Sequence, residues 1–470
     1  MANGCDIKMY NVVMHGVCFM LIFTAFQTSG NVQTSVLNSI KDKDGHSPFQ
    51  NKGYISLSII YTVFSLANFV APPIVNLFGP RVAMFFGGLC YALYIGAIIQ
   101  PFVSTLYIAS VVVGVGAALI WTGQGNFLTI NSTDDTIGRN SGIFWALLQC
   151  SLLFGNMFVY FYFKNDSSHI SNHERVVLYT VLLVCAGIGT LAIILLQKSQ
   201  MPEQSLVNNA HSIPENDEDE REVSLRSVNG RSQSGNAGSR QTPLESFLRS
   251  FQLLKTSNML CLAFTIAYTG FELTFFSGVY GTSVGNIDNS DLSDPKRQIG
   301  LVGMMIGTGE ITGGLLFGIF GKRTIKYGRD PVVLLGFLVH MLTFYLIFLN
   351  LPDRAPIAKL NPSEGESWLE YNIYIYALCG FLLGFGDSSF NTQIYSILGT
   401  LYSDDSAPAF ALYKCIQSVA AAIAFAYGTK LVLRYQLLIL VISGILGTLS
   451  FFMVERKNAA IKDAGYEPIR

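Results

Sequence analysis

Apolar positions gather into twelve runs of about 20 residues, each long enough to cross a hydrocarbon core of roughly 30 Å. They cover residues 9–29, 54–76, 81–100, 104–127, 141–163, 175–197, 258–280, 299–320, 331–350, 371–394, 409–430 and 434–454. A polar tract, residues 198–257, parts them six and six. The pattern predicts an all-α integral membrane protein with twelve transmembrane helices. Its expected organisation is a six-helix bundle over 1–197, a disordered cytoplasmic linker over 198–257, a second six-helix bundle over 258–457 and a cytoplasmic tail over 458–470. The first run is too long for a cleavable signal peptide and lacks a small-residue cleavage site, so it reads as a signal-anchor.

The halves repeat features in the same order, as transporter folds built from internal repeats do. Gly79-Pro80-Arg81 follows the second run and Gly328-Arg329-Asp330 the eighth. Gly125-Asn126 ends the fourth, and Gly386-Asp387 stands late in the tenth. Acidic pairs come next, Asp134-Asp135 and Asp404-Asp405, then Trp145-x-x-x-Gln149 and Tyr413-x-x-x-Gln417.

Polar residues within the runs follow a period of three. Runs one, four, seven and ten carry Gln27, Gln124 with Asn126, Glu272, and Asp387. Runs two, five, eight and eleven carry Asn68, Gln149 with Asn156, Glu310, and Lys414. Runs three, six, nine and twelve carry almost none, His340 excepted. Polar groups in a membrane face a bundle interior or a cavity, so one lipid-facing helix per triplet is expected. Gln124, Asn126, Trp145, Gln149, Glu272, Glu310, Asp387 and Lys414 form the candidate cavity set.

Glu272 and Glu310 lie about 14 and 11 residues into their runs, near the midplane at roughly 1.5 Å per residue. With no cation in the same zone, the two carboxyls should not both be charged. They read as a proton- or cation-coupling site, or as two separately protonated acids bonded to neighbouring helices. Asp387 and Lys414 fall in the inner third of their runs. They read as a mobile salt bridge, as a static pair, or with Lys414 snorkelling to the surface. His15 and His340 read as core histidines, and Trp121 and Trp145 as core packing or as ligand-stacking rings. Gly303, Gly307, Gly309, Gly313, Gly314 and Gly318 have the spacing that lets helix backbones approach closely.

Composition narrows the function. Only 13% of residues are charged, against roughly 25% in a soluble domain, so the partner surface is the lipid bilayer and no nucleic acid is expected. No Gly-x-x-x-x-Gly-Lys-Ser/Thr loop is present, which excludes an ATP-driven pump within this chain. No metal-ligand spacing or nucleophile motif points to an enzyme, a metal or a cofactor. Seven of the eight cysteines lie within the runs and none in an outer loop, so no disulfide framework is expected. Lys and Arg favour the cytoplasm, and with both termini there Arg81, Arg139, Lys326 and Arg329 lie inside with the polar tract. Asn165-Asp-Ser then lies outside as a glycosylation acceptor, while Asn131-Ser-Thr lies inside. The membrane is either the plasma membrane or an endolysosomal one. Rich in Ser, Asn, Glu and Asp, the tract itself should be disordered, with residues 244–254 as a short amphipathic helix on the inner leaflet.

Gly114-x-Gly116-Ala-Ala-x-x-Trp121-Thr-Gly-Gln124-Gly125-Asn-Phe-Leu-Thr129, followed by Gly142-x-Phe-Trp145-x-x-x-Gln149, resembles the signature stretch of the Unc-ninety-three-like branch of the major facilitator superfamily. Gly307-Thr-Gly309-Glu310-x-x-Gly313-Gly314 and Tyr268-Thr-Gly270 narrow the resemblance further, and it extends over all twelve runs. It implies the major facilitator fold, two six-helix bundles around a central cavity that opens alternately to each side. The superfamily's loop motif is fragmentary. Asn76 stands at its aspartate position, with Gly79 and Arg81 kept; the second copy keeps Gly321, Lys326, Gly328 and Arg329 but has Ile325 at the acidic position. That aspartate helps latch the closed state in the superfamily, so its loss implies a departure in gating. Two functions stay open: a secondary transporter of a small solute, coupled through Glu272 or Glu310, and a non-transporting regulator or trafficking chaperone of another membrane protein, such as the channel and receptor partners that relatives serve.

Overall fold

The structure is a computed structural model describing residues 2–38, 40, 48–49, 52–133, 135–162, 172–198, 243–287, 295–321, 327–358, 360, 367–369, 371–428 and 430–463. Asn165, Ile325, Lys326 and most of the polar tract, 199–242, lie outside these residues. The helices are α1 (Ala2–Asn38), α2 (Lys52–Ala67), α3 (Ala71–Phe78), α4 (Pro80–Ala97), α5 (Val103–Ile130), α6 (Ile137–Tyr162) and α7 (Asn172–Leu195) in the first half. Then come α8 (Pro243–Leu254), α9 (Ser257–Gly285), α10 (Pro295–Ile319), α11 (Asp330–Asn350), α12 (Ile373–Leu401), α13 (Ser406–Gly428) and α14 (Leu433–Asp463). Among the described residues, 11 helices are long and apolar enough to cross a membrane, and the bent pair of α2 and α3 makes a twelfth span.

That bent pair corrects the unbroken second span read from hydropathy. The helix turns by 64° between Ala67 and Ala71. Pro72 and Pro73 cannot donate the backbone hydrogen bonds that a continuous helix needs, and their rings clash with the preceding turn. Asn68 at the break turns its side-chain amide back onto the Phe64 carbonyl at 2.8 Å. The tenth span is also longer than expected. It runs to Leu401, which moves Asp387 from the inner third to the middle of its helix.

The triplet rule holds. On α11, Leu334, Leu338, Leu342 and Tyr345 are exposed at helical spacing, and on α14 Leu438, Ile442, Ile445 and Leu449 are. These stripes are the lipid-facing surface that such a period requires.

Glycines set the contact between the halves. On one face of α10, Gly303, Gly307, Gly314 and Gly318 meet Asn156, Leu152, Ala146 and Gly142 of α6. On another, Gly309 and Gly313 meet Phe381, Phe385 and Ser388 of α12. One helix is thus packed backbone-close on two sides. At Gly142 an added Cβ would stand 2.4 Å from the Gly318 nitrogen and 2.5 Å from the Gly314 oxygen. Those atoms are backbone and cannot rotate away. Gly142→Ala is therefore expected to cost roughly 1–3 kcal/mol as overpacking, visible as a lower unfolding midpoint in detergent. Gly187→Ala, whose Cβ would meet nothing within 4 Å, is the control expected to leave that midpoint in place.

The end of the bundle where α7 leaves and α8 begins, the strap end, is tied in a way the sequence did not suggest. α8 packs against α3 and α13, bridging the halves, instead of resting on lipid alone. Phe251 stacks on Phe69 with ring centres 5.0 Å apart, and Arg249 pairs with Asp405 at 2.6 Å. The hydrogen bonds to Asp405 hold the Arg249 guanidinium above its ordinary range.

Candidate functional site

The buried charge converges on one point in the second half. Glu272 of α9, Glu310 of α10, His340 of α11, Asp387 of α12 and Lys414 of α13 are all at least nine-tenths buried. Each sits mid-helix; α9, α12 and α13 carry no other Asp, Glu, Lys, Arg or His, while α10 has Lys296 and Arg297 and α11 has Asp330 at their starts. A single inward position per helix is enough to build a cluster when five helices surround one axis.

Asp387 is the hub. Its Oδ1 accepts from Asn391 Nδ2 at 2.7 Å, and its charge acts on both Glu272 and Glu310. Among the described residues, neither oxygen of Glu272 nor Oε1 of Glu310 has a hydrogen-bond partner. Buried carboxyls gathered without a bonded cation repel one another when charged, which suits such a group to binding a proton.

His340 completes the cluster. Its Nε2 lies 3.1 Å from the Leu383 carbonyl oxygen and 3.4 Å from Glu272 Oε1, and its Nδ1 lies 2.6 Å from the Tyr268 hydroxyl. A carbonyl only accepts, so Nε2 carries the hydrogen and Nδ1 accepts from Tyr268. The reading of His340 as a satisfied core histidine holds for its two bonds. What the sequence could not give is its contact with Glu272. His15, by contrast, has neither ring nitrogen bonded and is packed among Phe19, Phe127 and Phe144.

The first half reaches into the cluster. Trp145 donates its indole N–H to Glu310 Oε2 at 2.6 Å, and Gln149, one turn on, is buried near the same carboxyl. Glu310 is thus the group through which acids of one half touch donors of the other. Just past Glu272, α9 widens into a π-helical stretch over Phe275–Tyr280, a local insertion that often accompanies functional positions.

Lys414 is not salt-bridged to Asp387. Among the described residues no carboxylate lies within 4.0 Å of its ammonium, whose one hydrogen bond goes to Gln417 Oε1 at 2.8 Å. Neither does it snorkel. It is 5% exposed, and its ammonium lies 4.2 Å from the centre of Trp121 and 4.4 Å from that of Tyr413. The Tyr413 hydroxyl in turn donates to Asn391 Oδ1, which links the lysine's surroundings to the acid hub.

Of the remaining cavity candidates, Gln124 is fully buried with neither amide atom bonded. Asn126 lies elsewhere, donating to Ser406 at 2.8 Å as a tie between the halves at the strap end. The loop residues divide too. Gly79 and Gly328 hold equivalent left-handed turns, with φ of 86° and 90°, which is why both halves keep glycine there. Asn76 lies in α3 and Arg81 opens α4, half-buried. Arg329 is buried and paired with Glu455 at 3.1 Å, a partner one residue beyond the predicted twelfth run. Among the described residues, no group of three or more His, Cys, Asp or Glu has metal-binding geometry.

Known proteins carry the same architecture. The family described as "UNC-93: Ion channel regulatory protein UNC-93" matches residues 45–452. The chain is 45% identical over 449 residues to the UNC93-like protein MFSD11 of Xenopus tropicalis, covering 95% of this chain and 96% of that one. Among solved structures it resembles a variant of the E. coli fucose:proton symporter FucP, with a TM-score of 0.61 at 11% identity over 95% of this chain and 99% of that one. The proton:xylose symporter XylE bound to 6-bromo-6-deoxy-D-glucose follows, with a TM-score of 0.58 at 11% identity over 96% and 95%.

Proposed function

This chain belongs to the UNC-93 family, and from that premise we propose that it is a secondary transporter that moves a small solute by alternating access, coupled to protons. The observation that carries the reading is the buried group of Glu272, Glu310 and Asp387, which Trp145 of the first half reaches through its bond to Glu310. A proton that arrives or leaves there changes a bond between the halves, which is what coupling requires. The naming of FucP and XylE as proton symporters adds support by analogy of fold.

In this reading the two bundles, 1–197 and 258–457, rock about the α6–α10 glycine contact. Both termini and the tract 198–257 lie in the cytoplasm, and the protein has no enzymatic role. The family description favours a second reading, a subunit that regulates another membrane protein such as a channel.

Purified protein in liposomes loaded with a pH-sensitive dye separates the two. Proton entry triggered by an added solute supports transport. Silence across sugars, amino acids, amines and organic acids, together with a channel or receptor recovered stoichiometrically from native membrane, would sink it.

A further inference from the structure

We propose that Lys414 is the seat of the substrate's charge, and that the solute is a small organic carboxylate with a single negative group. The inference rests on the transport reading above and names its substrate class.

The lysine has bonds to spare. An ammonium has three N–H donors, and Lys414 spends one on the neutral Gln417. Its other neighbours are the rings of Trp121, Tyr413 and Tyr395, which attract a cation by their faces but cannot neutralise it. A buried cation ordinarily has a bonded counter-charge. Asp387 is close enough to act on Lys414 by charge, yet it lies beyond 4.0 Å of the ammonium and its Oδ1 accepts from Asn391.

The surroundings hold further unpaired polar groups. The Tyr395 hydroxyl, on a ring beside the ammonium, is buried without a partner. Gln124 stands one turn from Trp121 on α5 and has neither amide atom bonded. Lys414 and Tyr395 come from the second half, Trp121 and Gln124 from the first. An anion held by all of them would bind between the halves, where alternating access needs its cargo.

The donor set also fixes the charge. One ammonium, one hydroxyl and one amide suit the two oxygens of a carboxylate. A phosphate, with its larger charge, recruits several cations or a fork of guanidinium N–H groups, and neither is present among the residues around Lys414. A carboxylate entering with one proton on the acid cluster adds no net charge to a low-dielectric site, which explains why an acid hub and a lone lysine lie side by side.

Ligand-induced thermal stabilisation of the purified full-length protein tests this with lactate, pyruvate, benzoate, indole-3-acetate and succinate, each beside its neutral amide. At least one acid should stabilise the protein where its amide does not. Lys414→Ala should weaken that acid by ~30-fold or more, as for loss of one partner of a buried charge pair, while Lys414→Arg keeps part of the effect. Unliganded unfolding midpoints and size-exclusion profiles of both variants show that they are folded. Stabilisation by none of the acids, equal binding to the wild type and Lys414→Ala, or binding only of neutral sugars or organic cations would each overturn the proposal. Proton-coupled flux of a neutral solute leaves transport standing and removes this inference; lysine-dependent carboxylate binding without flux does the reverse.

Discussion

Glu310→Gln is expected to reduce proton-driven uptake to the level of empty liposomes while the protein stays folded. Glutamine has the shape of glutamate and keeps an oxygen that can accept from the Trp145 indole, a bond of 2.6 Å in the native protein. Its NH2 group keeps that end of the side chain polar without a titratable proton. What glutamine cannot do is bind and release a proton. The variant therefore separates coupling from architecture, which Glu310→Ala would not. Alanine would orphan the buried indole N–H, at about 1–3 kcal/mol, and confuse a folding defect with a transport defect. Solute exchange across liposomes without a gradient needs no net proton movement, and it should persist in Glu310→Gln. Gradient-driven uptake at the wild-type rate in this variant would remove Glu310 from the coupling path. Loss of exchange as well, with an unchanged unfolding midpoint, would place Glu310 in solute binding instead.

Much of this architecture was legible in the chain because a bilayer imposes its own code. Twelve apolar runs, a polar tract after the sixth and a three-helix period of buried polarity sufficed for the fold, since each follows from the cost of polar groups in hydrocarbon. The glycine rows of α10 announced close packing, though not that one row meets α6 and the other α12. Misreadings came where hydropathy and helix extent part company. Residues 388–393 are Ser, Ser, Phe, Asn, Thr and Gln, polar enough to suggest a nearby end, but all six are buried and the helix continues to Leu401. The shorter run sets Asp387 too near the surface, where a pair with Lys414 is one of its readings, while the longer helix holds it mid-span, where its charge acts on Glu272 and Glu310. The bend after Ala67 could have been read from Pro72-Pro73, which the hydropathy of the run concealed. Partnerships such as Glu272 with His340 join residues on separate helices, and a lone sequence carries no signal for them.

The largest loss of stability is expected at Arg329, in Arg329→Ala. This residue survives from the fragmentary loop motif, yet the structure turns it inward to join three helices. Its backbone N–H and NH1 bond Glu455 of α14, Nε bonds Ser396 Oγ at 2.9 Å, and NH2 bonds Thr400 Oγ1 at 2.8 Å on α12. Both charged side chains are nearly enclosed, at 3% and 8% exposure, so solvent gives either little relief when the other is removed. Breaking a buried pair from one side typically costs about 3–5 kcal/mol, and the unfolding midpoint in detergent should fall accordingly. Arg329→Lys should recover only part, because an ammonium cannot bridge Glu455, Ser396 and Thr400 with one planar fork. Arg329→Ala/Glu455→Ala should be more stable than the sum of the single losses, since removing both charges leaves neither unpaired. Strict additivity would show that the ion pair contributes nothing and that the guanidinium acts through its bonds to α12 alone. Because these contacts stay within the second half, transport per folded molecule should change little. A selective loss of transport with an intact midpoint would instead assign Arg329 to the gate that the superfamily's loop motif serves.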